Sequence, residues 1–344
     1  MVIAQFVLVA LNMKRKNTAI LHRYMAKGLS EYDSETENYR NKSNEEIKNK
    51  KNKLMILILI GYITLAIFFF IAAPLINAYL SDNSDRKKSE YGVTMNLPVP
   101  QWISFGTDTL ITYSTALCMQ MMVGGIGVVF YFTGDVLFFN CSLKIASEID
   151  LLIISIERLP ERTLSLYRTM HDNRNVCFSK IRENTDLLNC YKECLKQNVK
   201  HQQHIIKMFN SFFTVTGPSM FFILSIESIL IGLSATIFVL AKGNYRGRIS
   251  LSGFCSFEIL NVFFVCWNAD QIYSASQKLS MSLYSANWPL VDKSNARTIL
   301  CMMIGSKEPL VMNYLNLMKI NYETFTLVMN SAYSYLNILF ASVE

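Results

Sequence analysis

Apolar residues gather in a few long stretches, and polar residues fill the gaps between them. The stretch "LMILILIGYITLAIFFFIAAPLINAYL", residues 54–80, runs 27 residues without a charge. That exceeds the roughly 20 residues a helix needs to cross about 30 Å of hydrocarbon. Residues 109–134 form a second such stretch, residues 208–241 carry one charge, Glu227, and residues 249–269 carry one, Glu258. From Thr324 the chain stays uncharged until its last residue, Glu344. The pattern predicts five spanning helices, with no strand signal and no internal repeat. The opening "MVIAQFVLVALN" is too short to span, and the charges of "MKRKN" follow it, which is the wrong side for a signal peptide. It reads as the trailing half of another span whose beginning is missing. In "IASEIDLLIISIERLPERTLSLYRTM" the apolar positions keep near i, i+3, i+4 spacing past the membrane edge. That helix is expected to continue into water and to return from about Ile181 into the span at Met208. Residues 31–53, rich in Asn, Glu and Lys, read as a mobile loop.

Composition agrees with this pattern. Hydrophobic residues make up 51% of the chain and charged residues 17%, the balance of an all-α integral membrane protein. The net charge of +7 is unevenly spread. Residues 14–53 hold eleven Lys/Arg against six Asp/Glu, residues 157–200 nine against six, and residues 81–105 three of each. The positive-inside rule therefore puts the first two segments in the cytoplasm, the third outside and the C-terminus outside. Lys242, Arg246 and Arg248, in a short outer turn, run mildly against it. A nucleic-acid surface would interleave aromatics with the basic residues, whereas here the aromatics sit in the spans, so no nucleic acid is expected.

Little in the chain suggests catalysis. Phosphate-loop, nucleophile-elbow and metalloprotease motifs are all lacking, so neither an enzyme nor a cofactor is expected. None of the eight cysteines falls in the outer loops, which argues against disulfides. Cys190, Cys194, His201 and His204 have helical spacing that suits zinc in principle, but an amphipathic helix explains them and no metal is assigned. The sequons at Asn41 and Asn140 lie on or near the cytoplasmic side, where they carry no sugar. Glu227 and Glu258 lie deep in their spans, where a carboxylate faces water, marks a functional site or pairs with a neighbouring helix.

The last hundred residues resemble the C-terminal signature of the insect odorant receptors. The resemblance rests on Tyr284 and Trp288 after the penultimate span and a basic helical segment over 297–304. It continues through Lys307 and Pro309, Glu323 to Phe325, and the terminal Tyr333-Ser-Tyr335 helix. Upstream, "NLPVPQWISF" and "GDVLFFN" resemble the family's loop before the fourth span and the inner end of that span. Aligned in this way, residues 1–12 are the remnant of the second transmembrane helix and 13–53 a cytoplasmic loop. Residues 54–207 hold the third and fourth helices with a cytoplasmic extension, and 208–283 the fifth and sixth. Residues 284–318 form a cytoplasmic assembly segment and 319–344 the terminal pore-lining helix; the family's first helix is missing.

The resemblance implies an odorant-gated, nonselective cation channel, a heterotetramer with a shared co-receptor in the plasma membrane. Its ligand would be a small volatile hydrophobic molecule. The short loop before the fifth span implies a tuning subunit rather than the co-receptor. Asn330, Ser331 and Ser334 are then expected on the pore face, with Ile338, Ala341 and Ser342 near the gate. Trp288, Arg297, Leu300, Met303 and Leu310 are expected in the assembly interface, together with a helix over 307–318. Phe69, Phe70, Tyr113, Met119, Met122, Phe254 and Phe257 in the outer halves of three spans are expected to wall the odorant pocket. A G-protein-coupled seven-helix receptor is the rival reading, distinguished by a cytosolic C-terminus. A gustatory-type chemoreceptor channel is another alternative, and a secondary transporter lacks support because matched broken helices are absent.

Overall fold

The computed structural model of the chain describes residues 15–26, 32–34, 36–42, 93–94, 101–102, 110–171, 176–240, 245–314 and 318–341, with scattered positions between 45 and 64. The stretch 1–12, most of 54–80 with Phe69 and Phe70, and Ser342 lie outside the described residues. Among the described residues the architecture is carried by the helices α1 (Arg15–Ala26), α2 (Leu110–Glu157), α3 (Leu159–Met170), α4 (Thr185–Leu240), α5 (Tyr245–Ser285), α6 (Lys293–Gly305) and α7 (Tyr322–Ala341). Two small antiparallel pairs accompany them, β1 (Val93–Thr94) with β2 (Gln101–Trp102), and β3 (Met312–Tyr314) with β4 (Met318–Ile320).

The apolar spacing that ran past the membrane edge is realised as a single helix. With 48 residues, α2 is about 72 Å long at 1.5 Å per residue, and α4, with 56, about 84 Å. Both outrun a bilayer of about 40–45 Å including its headgroups. Their overhanging ends, joined through α3, form a helical hairpin. It turns where Arg158 leaves the helical region and Pro160 enters the first turn of α3, because proline has no N–H to continue the ladder. At the other side Asn184 starts α4, its Oδ1 accepting from the amides of Asp186 and Leu187 at 3.1 Å. Ile145, Ile149, Leu152 and Ile156 of α2 bury against Leu187, Tyr191, Leu195 and Met208 of α4, with Leu159 and Tyr167 of α3 closing the end.

Among the described residues, one helix, Thr185–Val239, combines the length and the mean hydropathy, 2.1 in its best window, needed to cross a membrane, and Ile111–Ile126 is a shorter apolar stretch. The span expected at 249–269 lies within α5, where Glu258, Asn261 and Asn268, all buried, lower its hydropathy.

Two expectations are corrected. The helix expected over 307–318 is not formed by its described residues: Pro309 works against one, and β3 (Met312–Tyr314) pairs with β4 (Met318–Ile320), with Met312 opposite Ile320 and both buried. Nor are residues 31–53 loop throughout. Residues 36–42 are helical, with Thr36 buried and donating its hydroxyl to Asp33 at 2.7 Å. This segment docks into the hairpin through polar groups. The Tyr32 hydroxyl lies 2.7 Å from Nδ1 of His201, Nε2 of His201 lies 3.0 Å from Glu148, and Lys144 reaches Glu148 at 2.7 Å. Beside them Arg162 donates to Asp33 at 3.0 Å, to Asn198 at 3.0 Å and to Gln197 at 2.7 Å, and lies 4.6 Å from the centre of the Tyr32 ring.

Burial is the largest influence on His201 and holds the imidazole below its ordinary range despite Glu148, so it sits there neutral. Glu148 only accepts, so Nε2 carries the proton and Nδ1 takes the Tyr32 hydroxyl. Burial pushes Glu148 up, but the His201 hydrogen bond and Lys144 outweigh it and bring the carboxyl down to about 2. Asp33 behaves alike: Thr36 and Arg162 overcome its partial burial and hold it below the usual carboxylate range.

These shifts fix a pH dependence. A histidine depressed in the fold contributes its full stability above the ordinary value of 6.5 and loses it as pH falls below that, by up to about 1.4 kcal/mol per pH unit. Glu148 contributes above 4.5 and loses its part only as pH falls from there toward about 2. Detergent-solubilised receptor should therefore show a Tm that declines from pH 7 to 5, and His201→Gln should flatten that slope. Arg162→Ala, which takes the guanidinium from Asp33, Asn198 and Gln197, should lower stability by about 3 kcal/mol at neutral pH.

Candidate functional site

The terminal helix is set by its start. The amide of Thr324 donates to Asn321 Oδ1 at 3.2 Å and the amide of Asn321 donates back to Thr324 Oγ1 at 3.3 Å, a reciprocal cap over the first turn. The Thr324 hydroxyl also donates to the carbonyl of Lys319, tying α7 to β4. From there Thr324, Val328 and Ala332 are buried, with Phe325, Met329, Leu336 and Leu339 half-buried beside them. Phe263 of α5 meets Phe325 edge-on at 5.6 Å and Tyr322 at 6.3 Å. Farther along, Ala332 and Tyr335 lie against Gly232 of α4.

Asn330, Ser331, Ser334, Asn337, Ile338 and Ala341 are exposed. At about 100° per residue, Asn330, Ser334, Asn337 and Ala341 fall within roughly 40° of the direction opposite Ala332. Ser331 and Ile338 stand about 60–80° to one side of that line. The hydroxyls of Ser331 and Ser334 donate to the carbonyls of Leu327 and Asn330 at 2.9 Å, which leaves the asparagine amides as the strongly polar groups of the stripe. In the single chain, then, α7 is packed on one narrow side and presents a polar line on the other.

Two buried carboxylates belong to the supporting helices. Asn261 of α5 donates to Glu227 of α4 at 2.6 Å, so the deep Glu227 is a cross-helix tie. Glu258 of α5, 3% exposed, sits near enough to Asp135 of α2 for their charges to interact. This contact and the Phe139–Phe264 pair at 5.7 Å fix the register of α2 against α5, which run the same way. Extended along both axes, that register sets Tyr113 about 30 Å beyond Phe257 and Met122 about 12 Å beyond Phe254. Tyr113, Phe254 and Phe257 are half-buried; Met119 and Met122 are exposed. The seven expected pocket residues thus do not form one cluster among those described.

The expected assembly residues divide in the same manner. Met303 and Leu310 pack on the buried core, whereas Arg297, Leu300 and Trp288 are exposed. Along α6, Arg297, Leu300, Cys301 and Ile304 make one exposed stripe at i, i+3, i+4 and i+7, and Met281, Tyr284 and Leu290 before it in the chain are exposed as well. Ile304, 65% exposed, closes the 288–304 segment expected at the interface, whereas Met281, 70% exposed, lies outside every expected site. Gly232 and Phe263, which position α7, carry no sequence signal of that role, since each is one more small or apolar residue in an apolar helix.

Known proteins give the same picture. The family model described as 7tm Odorant receptor matches residues 2–333. The chain is 23% identical over 252 residues to Odorant receptor Or2 of Anopheles gambiae, a match covering 72% of this chain and 60% of that protein. It is 24% identical over 108 residues to Odorant receptor 10 of Aedes albopictus, covering 31% of this chain and 29% of the relative. Among solved structures, the insect olfactory receptor OR5 from Machilis hrabei superposes with a TM-score of 0.70 at 12% identity, covering 97% of this chain and 78% of that one. Its complex with eugenol gives a TM-score of 0.64, also at 12% identity, covering 100% of this chain and 79% of that one. The fold is a helical transmembrane bundle, and the chain, a membrane protein with no feature that points to catalysis, belongs to the seven-transmembrane odorant receptor family.

Proposed function

We propose that this chain is the tuning subunit of an odorant-gated, nonselective cation channel. It assembles with a shared co-receptor, with the hairpin in the cytoplasm and the C-terminus outside. One observation carries the reading: the polar line of Asn330, Ser334 and Asn337 stands opposite the side of α7 that packs on α4. A polar stripe turned away from its own subunit suits a water-filled path shared by several copies. Lipid would suit it poorly, because exposed asparagine amides have no partners there. The charge distribution along the chain supports the orientation.

In this reading Ile338 and Ala341 narrow the outer mouth, and an apolar constriction gates by shedding water. Ile338→Ser, in a full-length receptor expressed with co-receptor, should raise basal current by about twofold or more. Unchanged leak at normal surface density counts against the gate.

The exposed α6 stripe with Trp288 supplies the cytoplasmic contact between subunits. Leu300 and Ile304 would otherwise hold apolar surface in water. Leu300→Asp together with Trp288→Ala should weaken co-purification with the co-receptor by about 2 kcal/mol or more. Undiminished co-purification would remove this surface from the interface.

For the ligand, Phe254 and Phe257 wall an apolar pocket, and Tyr113, Met119 and Met122, farther out along α2, line the path by which an odorant reaches it. A small volatile molecule offers few hydrogen bonds, so affinity comes from burying its area at about 25 cal/mol per Å2 against aromatic and Met walls. Phe257→Ala should reorder odorant potencies, and Tyr113→Ala should shift them together. If neither variant alters the dose–response curves, the pocket lies elsewhere.

A further inference from the structure

The approach of α7 to α4 is unusually close at one point. A Cβ built on Gly232 would fall 2.8 Å from the Cβ of Tyr335 and 2.9 Å from the carbonyl oxygen of Ala332. One of these atoms is backbone and the other is the root of a side chain, so neither can swing aside. Carbon atoms in ordinary contact stand about 3.5–4.0 Å apart, so even one methyl at this position demands a helix separation of roughly 1 Å.

The two helices do not share that displacement equally. Gly232 is buried in α4, with Ile231, Ser234 and Thr236 buried around it, and the Asn261–Glu227 bond ties α4 to α5 five residues earlier. The start of α7 is held as well, by the Asn321–Thr324 cap and by Phe263 against Tyr322 and Phe325. The freedom that remains belongs to the part of α7 from Ala332 onward. Its far side, with Ser334, Asn337 and Ile338, faces nothing of its own subunit among the described residues. Added volume at residue 232 therefore tilts that part of α7 about its held start and away from α4.

We propose that Gly232 is a positioning residue for the ion path: the absence of a side chain lets α7 lie against α4, and this sets how wide the ring of terminal helices opens around Ile338. The inference rests on α7 lining the pore as proposed above. Since Asn330, Ser334 and Asn337 point away from Ala332, the direction in which α7 is pushed is toward the pore axis, and larger residues at 232 narrow the path.

The test is a Gly232→Ala, Gly232→Val and Gly232→Leu series in a full-length receptor expressed with co-receptor. Single-channel conductance, permeability to organic cations of graded diameter, surface density and odorant potency would be measured for each. Conductance and the size limit should fall in the order of side-chain volume, by roughly twofold or more at Val, while the ranking of odorants stays as it was. Gly232→Ala adds the least bulk and decides the matter if the larger variants do not reach the surface. Wild-type conductance and size limit in that variant overturn the proposal. Gly217→Ala serves as the control for general strain in α4, because its added carbon meets the ring of Phe213, at 2.6 Å, rather than α7. An equal fall in conductance there also overturns it. Asn330→Cys with a cationic thiol reagent separates the two layers of the argument. Blockade without an effect of Gly232 substitution sinks only this inference, and absence of blockade sinks the pore reading with it.

Discussion

Hydrocarbon offers no partner to a backbone amide, and most of this architecture follows from that constraint. The chain meets it by closing its hydrogen bonds inside long helices. Because α2 and α4 do not end at the membrane boundary, the same rods that cross the lipid also build the hairpin beyond it. A displacement along α4 in one compartment is therefore felt in the other. Gly232, the Glu227 tie and the His201 cluster lie along a single helix of 56 residues.

The two ends of that helix are held by different forces. In the hairpin, apolar burial is driven by water, and side chains such as Leu187, Tyr191 and Met208 pack to near-zero exposure against α2. In lipid that driving force between helices is lost, and close approach through small residues takes over, with polar pairs such as Asn261–Glu227 adding to it. Gly232 against Ala332 and Tyr335 is such an approach.

Much of this was legible in the sequence. Charge-free runs and the spacing from Ala146 onward marked the helices, because burial in lipid and burial in a hairpin both leave a one-dimensional pattern. The Tyr32–His201 and Asp33–Arg162 contacts leave none, since they join positions 169 and 129 residues apart and depend on tertiary placement alone. The segment around Asp33 has the composition of a solvated loop for the same reason: a charged residue half-buried against its partner has the composition of one in water. After Pro309 the alternation of Met312, Tyr314, Met318 and Ile320 is a strand signal, but a short one set among helical patterns. On the functional side, the polar residues of α7 could be read as a stripe, but which direction the helix packs required Ala332 and Gly232 in three dimensions. The pocket residues were chosen by depth in the membrane, and the register of Phe139 against Phe264 shows how far equal depth by counting can depart from contact.

The reach of the Tyr32 segment has a consequence for biogenesis. Its partners Arg162, Asn198 and His201 all lie far downstream, so at about 5–20 residues per second roughly 10–30 s pass between the emergence of Tyr32 and that of His201. Throughout that interval Asp33 and Tyr32 wait in solution while later helices are threaded into the bilayer. The docking of an early segment onto a late hairpin is therefore one of the last steps of folding: it forms only after α4 has been made, and a chain stalled before His201 would leave Tyr32 and Asp33 without these contacts.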